Sequence, residues 1–253
     1  MTYFRALFSI FKIHYKISFS RNLYKFSIFI MPIFFSTLLY FIYSGKEMVY
    51  IIWGSGIASL WGLACYSSAI EIERERLSGT LEAVSVTPIR FEFIIFSKIL
   101  ANTLIGFISF AIVIIYSILI LRIPLIISRI DLFLLSLFSL LLSLLAISFL
   151  TATLFTLSRN AFALISSILY PIYFISGILF PVEILPSWVQ YISNILPIRW
   201  SVSFLKNSVQ KCNSIEKEFY YSIILSVLYL LVGHFLFKYI ERKNRKDATF
   251  GGI

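Results

Sequence analysis

Charged side chains are scarce in this 253-residue chain: they make up 13% of it, about half the roughly 25% of an ordinary soluble domain. That shortage excludes a surface solvated all round by water. Cysteine is nearly absent, with Cys65 and Cys212 the two present, so a disulfide framework within one chain is excluded. Histidine occurs twice. His14 falls in a basic N-terminal stretch and His234 in an apolar run, so a haem held between two histidines inside the membrane lacks its ligands. Hydrolysis at a metal needs clustered histidines and carboxylates, and no such cluster exists. Ser136, Ser139 and Ser143 follow helical spacing with no base beside them, which reads as close helix packing rather than nucleophilic catalysis.

Two energy sources are also missing. A Gly-x-x-x-x-Gly-Lys-Ser/Thr phosphate cradle is not found, because Ser44-Gly45-Lys46-Glu47 lacks its first glycine and its hydroxyl. Carriers driven by protons or sodium keep ionisable groups within their spans, at about 2.5–3.5 kcal/mol each. The long apolar windows here need none, and His234, near the end of the last window, reads as an interfacial side chain. Energy is therefore expected to arrive through a partner.

What fills the chain is apolar: 59% of residues are hydrophobic. A bilayer crossing takes about 20 of them. Six windows free of Asp, Glu, Lys and Arg qualify: Phe26 to Gly45, Met48 to Ile70, Ile99 to Leu121, Leu132 to Ser158, Asn160 to Pro181 and Phe219 to Phe237. The expected fold is an all-α integral membrane protein of six transmembrane helices. A shorter run, Ile184 to Ile198, is broken by Pro186 and Pro197 and reads as re-entrant or interfacial.

The net charge of +10 does not imply nucleic acid, since the basic residues lie between apolar windows rather than on one soluble face. Placing the N-terminus inside puts fifteen Lys and Arg on the cytoplasmic side and seven opposite. The positive-inside rule thus predicts both termini in the cytoplasm of a multi-pass protein of the cell (cytoplasmic) membrane. Basic residues are scattered over the first 25 positions without a compact apolar core, so no cleavable signal is expected. At about 100° per residue, Phe4, Leu7, Phe8, Phe11 and Tyr15 gather beside a stripe of Arg5, Lys12 and Lys16. Residues 1–25 are therefore expected to hold an amphipathic helix on the lipid surface, where each cation contributes about 1 kcal/mol against an anionic leaflet.

One membrane domain over residues 1–253 is expected, with two hydrophilic regions: 71–90 inside and 183–218 outside. The first begins Glu71-Ile-Glu73-Arg74-Glu75-Arg76-Leu77-Ser78-Gly79-Thr80-Leu81-Glu82 and ends Thr87-Pro88. Glu71 with Arg74 and Glu73 with Arg76 have the i,i+3 spacing of helical ion pairs. Gly79 suits a left-handed C-cap, and Thr87-Pro88 is a helix-start signal. Helix, tight turn and second short helix are the expected order.

This run, followed by Lys98 at the head of a window, resembles the first cytoplasmic loop of type-two ATP-binding-cassette permeases. Gly177-Ile-Leu-Phe-Pro181, Leu185-Pro186-Ser-Trp188 and Leu196-Pro197 resemble that family's external re-entrant helices. The resemblance spans nearly the whole chain and is nearest to the drug-exporting branch. It implies a non-enzymatic transport subunit, a coupling helix within 71–90, two ATPase subunits that carry the ATP and magnesium, and a second permease copy or homologue. The implied cargo is an amphiphilic or lipid-like compound. A polysaccharide or teichoic-acid exporter shares the same external prolines, and a sensory or structural membrane subunit is the competing class.

In intact cells, Cys212 should react with a membrane-impermeant maleimide while Cys65, set among apolar residues, should not. Reaction of Cys212 only after lysis reverses the orientation.

Overall fold

The computed structural model describes residues 2–43, 48–66, 68, 74, 79, 90–124, 127, 129–155, 161–210 and 215–247. All regular structure among them is helical. In chain order come α1 (Thr2–Ser20), α2 (Asn22–Ile42), α3 (48–66), α4 (Phe91–Leu119), α5 (Ile130–Phe155) and α6 (Ala161–Ile175). A 3-10 turn (Val182–Ile184), α7 (Ser187–Ile195), α8 (Pro197–Gln210) and α9 (Ile215–Asp247) follow.

Among the described residues, four helices are long and apolar enough to cross a membrane: Tyr24–Ile42, Phe91–Leu119, Ile130–Phe155 and Glu216–Arg242. They occupy the first, third, fourth and sixth charge-free windows. The second window holds α3, and the fifth holds α6, which stops at Ile175 although the window runs to Pro181. Absence of charge does not make a residue helical: Gly177 turns left-handed at φ 75° and Pro181 has no N–H to donate. At about 1.5 Å per residue the described part of α6 spans about 22 Å, short of a hydrocarbon core of about 30 Å.

Burial sorts the long helices. About half of the apolar window of α4 and of α5 is enclosed, against 22% for α2 and for α9. The inner pair packs around α3, whose residues 51–65 supply much of the core, and the outer pair turns Phe29, Phe34, Phe41, Leu228, Leu231 and Phe235 outward. An apolar exterior around a close-packed interior is the pattern of a protein whose solvent is lipid.

Close approach rather than bulk holds the interior. A Cβ on Gly56 would lie 2.8 Å from the Phe110 ring, and one on Gly233 would lie 2.8 Å from Phe149. The serines with helical spacing on α5 are fully buried. Ser139 Oγ bonds Ser201 Oγ at 3.0 Å and Ser222 Oγ at 2.6 Å, joining α5, α8 and α9 at one crossing. Such contacts let backbones approach where water gives no hydrophobic drive between helices.

The amphipathic start divides in two, because extended Arg21 separates α1 from α2. The side α1 turns toward the protein sets two polar groups among half-buried Leu7, Ile10, Phe11 and Phe19. Phe8, Ile13 and Ile17 are exposed, whereas His14 and Ser18, one turn apart, are buried. His14 Nε2 lies 3.0 Å from Asn102 Oδ1 on α4, and Tyr24 OH donates to that same oxygen at 2.9 Å. Asn102 Nδ2 lies 3.5 Å from Ser68 Oγ, just beyond α3. One amide thus connects α1, α2, α4 and the chain leaving α3.

Asn102→Leu removes the acceptor shared by His14 and Tyr24, and leaving buried polar groups short of partners costs about 1–3 kcal/mol. The purified variant should unfold at a lower temperature, and the loss should shrink in a His14→Phe background. An additive double variant disproves the coupling.

Candidate functional site

Two ends of the bundle carry the hydrophilic segments. At the end bearing residues 71–90, hereafter the loop end, Arg74 is helical and half-buried and Gly79 is an exposed turn residue. Gly79 has φ 65°, the left-handed conformation of a C-cap, and open space surrounds the position of a Cβ. Glu71, Glu73, Glu75, Arg76, Ser78, Thr80, Leu81, Glu82, Thr87 and Pro88 lie outside the described residues. Arg90 is extended, and α4 opens at Phe91.

The early start of α4 brings in a carboxylate that the charge-free windows left out. Glu92, in its first turn, is buried and pairs through Oε1 with Nδ1 of His234 on α9. A carboxylate in a helix's first turn is favoured by the helix dipole. His234 is therefore not simply an interfacial side chain: it ties the two helices together in a ring cluster where Phe237 lies 5.7 Å from Phe91 and 6.3 Å from Phe149.

At the opposite, cap end, the residues singled out in the sequence shape a folded strap. Gly177 makes the left-handed turn after α6, where a Cβ would lie 2.6 Å from Val182 Cγ2. Pro181 precedes the 3-10 turn, Pro186 precedes α7, and Pro197 opens α8 with its preset φ. Trp188 is exposed on α7, as are Tyr191 and Ile195, and Ile184 of the preceding 3-10 turn is exposed too.

Breaking a helix here frees carbonyls, and four of them are met by side chains from three other elements. Ser193 Oγ of α7 donates to Ile175 O at 2.6 Å. Lys206 Nζ of α8 donates to Gly177 O at 2.7 Å and Ile178 O at 3.1 Å. Tyr43 OH, just past α2, donates to Leu179 O at 2.6 Å. The Lys206 ammonium also sits 3.9 Å from the centre of the Tyr50 ring at the start of α3, and Tyr50 stacks on Tyr43. Gly54 completes the seat, since a Cβ there would come within 2.9 Å of Ile178 O.

Lys206, Ser193 and Tyr43 were not singled out from sequence. A signal existed for the lysine: Val202, Leu205 and Val209 form the buried side of α8, and Lys206 falls within that i, i+3, i+4, i+7 set. Burial pulls its pKa down to about 7, with the Glu183 carboxylate acting in the opposite direction.

Lys206 should then titrate near pH 7, well below the ordinary lysine value of about 10.4. Because the folded-state value is depressed, the charge is present below pH 7, and unfolding takes up a proton between pH 7 and about 10. Carbon-13 reductive methylation followed by NMR titration measures it. A Lys206 resonance moving only above pH 10 contradicts a buried ammonium.

The sequence model of the ABC-2 type transporter family matches residues 5–209, from α1 through nearly all of α8. No curated protein matches the chain. A match over that length, on an all-helical protein with membrane-crossing helices, is sufficient: the chain belongs to the ABC-2 type transporter family, the membrane permease components that work with an ATP-binding-cassette ATPase subunit.

Proposed function

We propose that this chain is the permease subunit of an ATP-driven exporter that moves an amphiphilic or lipid-like compound out of the cytoplasm or inner leaflet. It crosses the cytoplasmic membrane six times, α3 and α6 forming the second and fifth crossings. Both termini and the loop end face the cytoplasm, and the cap end, with its 183–218 segment, dips into the outer leaflet. Two copies, or this chain and a homologue, pair over two ATPase subunits that bind ATP and magnesium. The permease itself catalyses no reaction.

The observation carrying this reading is the course of α3. Its first turn holds the Tyr50 ring under Lys206, Gly54 lies against Ile178 O, and the chain leaving it meets Asn102 through Ser68 before entering 71–90. The same helix contains two π-helical runs, Tyr50–Gly54 and Gly62–Tyr66. Such insertions in an α-helix loosen its regular register and are frequent at functional sites. Force delivered to Glu71, Glu73, Arg74, Glu75, Arg76, Ser78, Gly79, Thr80, Leu81, Glu82, Thr87 and Pro88 has a direct covalent route along α3 to the cap end. Docking of those residues on the ATPase supplies the force, and a change of register within α3 passes it on.

Glu82→Lys and Gly79→Pro test the coupling loop. Reversing a charge against a docking groove costs about 2–5 kcal/mol of binding when the pair is buried, and proline cannot adopt the φ of 65° seen at Gly79. Both variants should insert at wild-type levels yet lose co-purification of the ATPase, or lose ATP-dependent movement of a fluorescent short-chain phospholipid in vesicles. Wild-type behaviour in both excludes the loop as the docking element. A wild-type chain that retains no ATPase favours a sensory or structural subunit.

A further inference from the structure

We propose that Lys206 is the latch of the cap end: seated on the carbonyls of Gly177 and Ile178 and on the Tyr50 ring, it holds α8, the turn after α6 and the start of α3 together, and that end opens only when the side chain leaves its seat. The inference rests on the transport reading above and deepens it. Lys206 is a positioning residue in it, one that acts on the helices around the passage rather than on the cargo.

Three features make this lysine the tie that decides. It bridges three elements through one group, with donor distances of 2.7 and 3.1 Å and a ring contact at 3.9 Å. Ser193 and Tyr43 also hold this segment, and Leu169, Tyr173 and Ile178 are buried in the core, but among these donors Lys206 alone reaches two carbonyls at once. The seat also depends on two glycines: left-handed Gly177 presents the carbonyl, and Gly54 admits Ile178 O against α3.

The seat is well made but expensive for a charge. Charge-assisted hydrogen bonds and a desolvated cation–π contact favour occupancy. Loss of hydration opposes it, which is what the pKa near 7 reports. A released ammonium regains water and has an exposed carboxylate, Glu183, near enough to influence it electrostatically. Two positions with offsetting terms are what a small displacement of α3 is able to switch between.

The test uses the chain in complex with its ATPase in lipid nanodiscs and a water-soluble amine-acylating reagent, read out by mass spectrometry. Without nucleotide, Lys206 should be acylated at least tenfold more slowly than exposed Lys217. During ATP turnover its rate should rise at least tenfold while that of Lys217 stays constant. ATP hydrolysis by the complex with Lys206 still protected overturns the latch and leaves the transport reading intact, whereas a chain that neither binds nor stimulates the ATPase overturns that reading and the latch with it. A second measurement separates latching from mere stability: spin labels at exposed Met48 and Ile184 should report a broadened distance distribution in Lys206→Met without ATP, and a wild-type distribution in Lys206→Arg. A wild-type distribution in Lys206→Met overturns the latch.

Discussion

Every backbone carbonyl enclosed within a protein must find a donor there, and the cap end is organised by that requirement. Once Gly177 breaks the helix, the carbonyls of residues 175, 177, 178 and 179 have no turn above them to supply N–H groups. Ser193, Lys206 and Tyr43 supply donors instead, one each from α7, α8 and the end of α2. The strap's position follows from these bonds. Its proline-set turns only orient the segments that carry the donors.

The same rule operates inside the bundle with neutral groups. Asn102 collects His14 and Tyr24 on one oxygen, and Ser139 collects Ser201 and Ser222. These are polar contacts between helices that otherwise meet through apolar side chains, so they specify which helices meet and at what depth. Oily side chains alone give little preference between a lipid neighbour and a protein neighbour. Glu92 with His234 does the same at the loop end with titratable groups.

How much was legible depends on what each signal measures. Charge-free length located the four long helices well, and it misjudged α6 because backbone conformation, not polarity, ends that helix at Ile175. It also missed the start of α4: a window that must avoid charge cannot include Glu92, yet burial beside His234 places that carboxylate within the packed helix. Gly79 takes the left-handed conformation expected of it, since a local turn preference needs no tertiary support. The surface reading of α1 located the helix and not its docking, because a helical wheel ranks faces by apolarity while His14 and Ser18 face the protein to reach Asn102.

By itself the sequence determined that the chain is a helical membrane protein, where its long helices run, and which prolines and glycines interrupt them. Those are consequences of length, charge and local backbone preference, each a property of a residue and its near neighbours. Tertiary structure alone decided which sides of the helices face inward and that Lys206 is enclosed rather than exposed. Helices apolar on every side carry little periodic signal to say which side is buried, and a lysine's environment is made by the carbonyls and rings that distant segments bring to it.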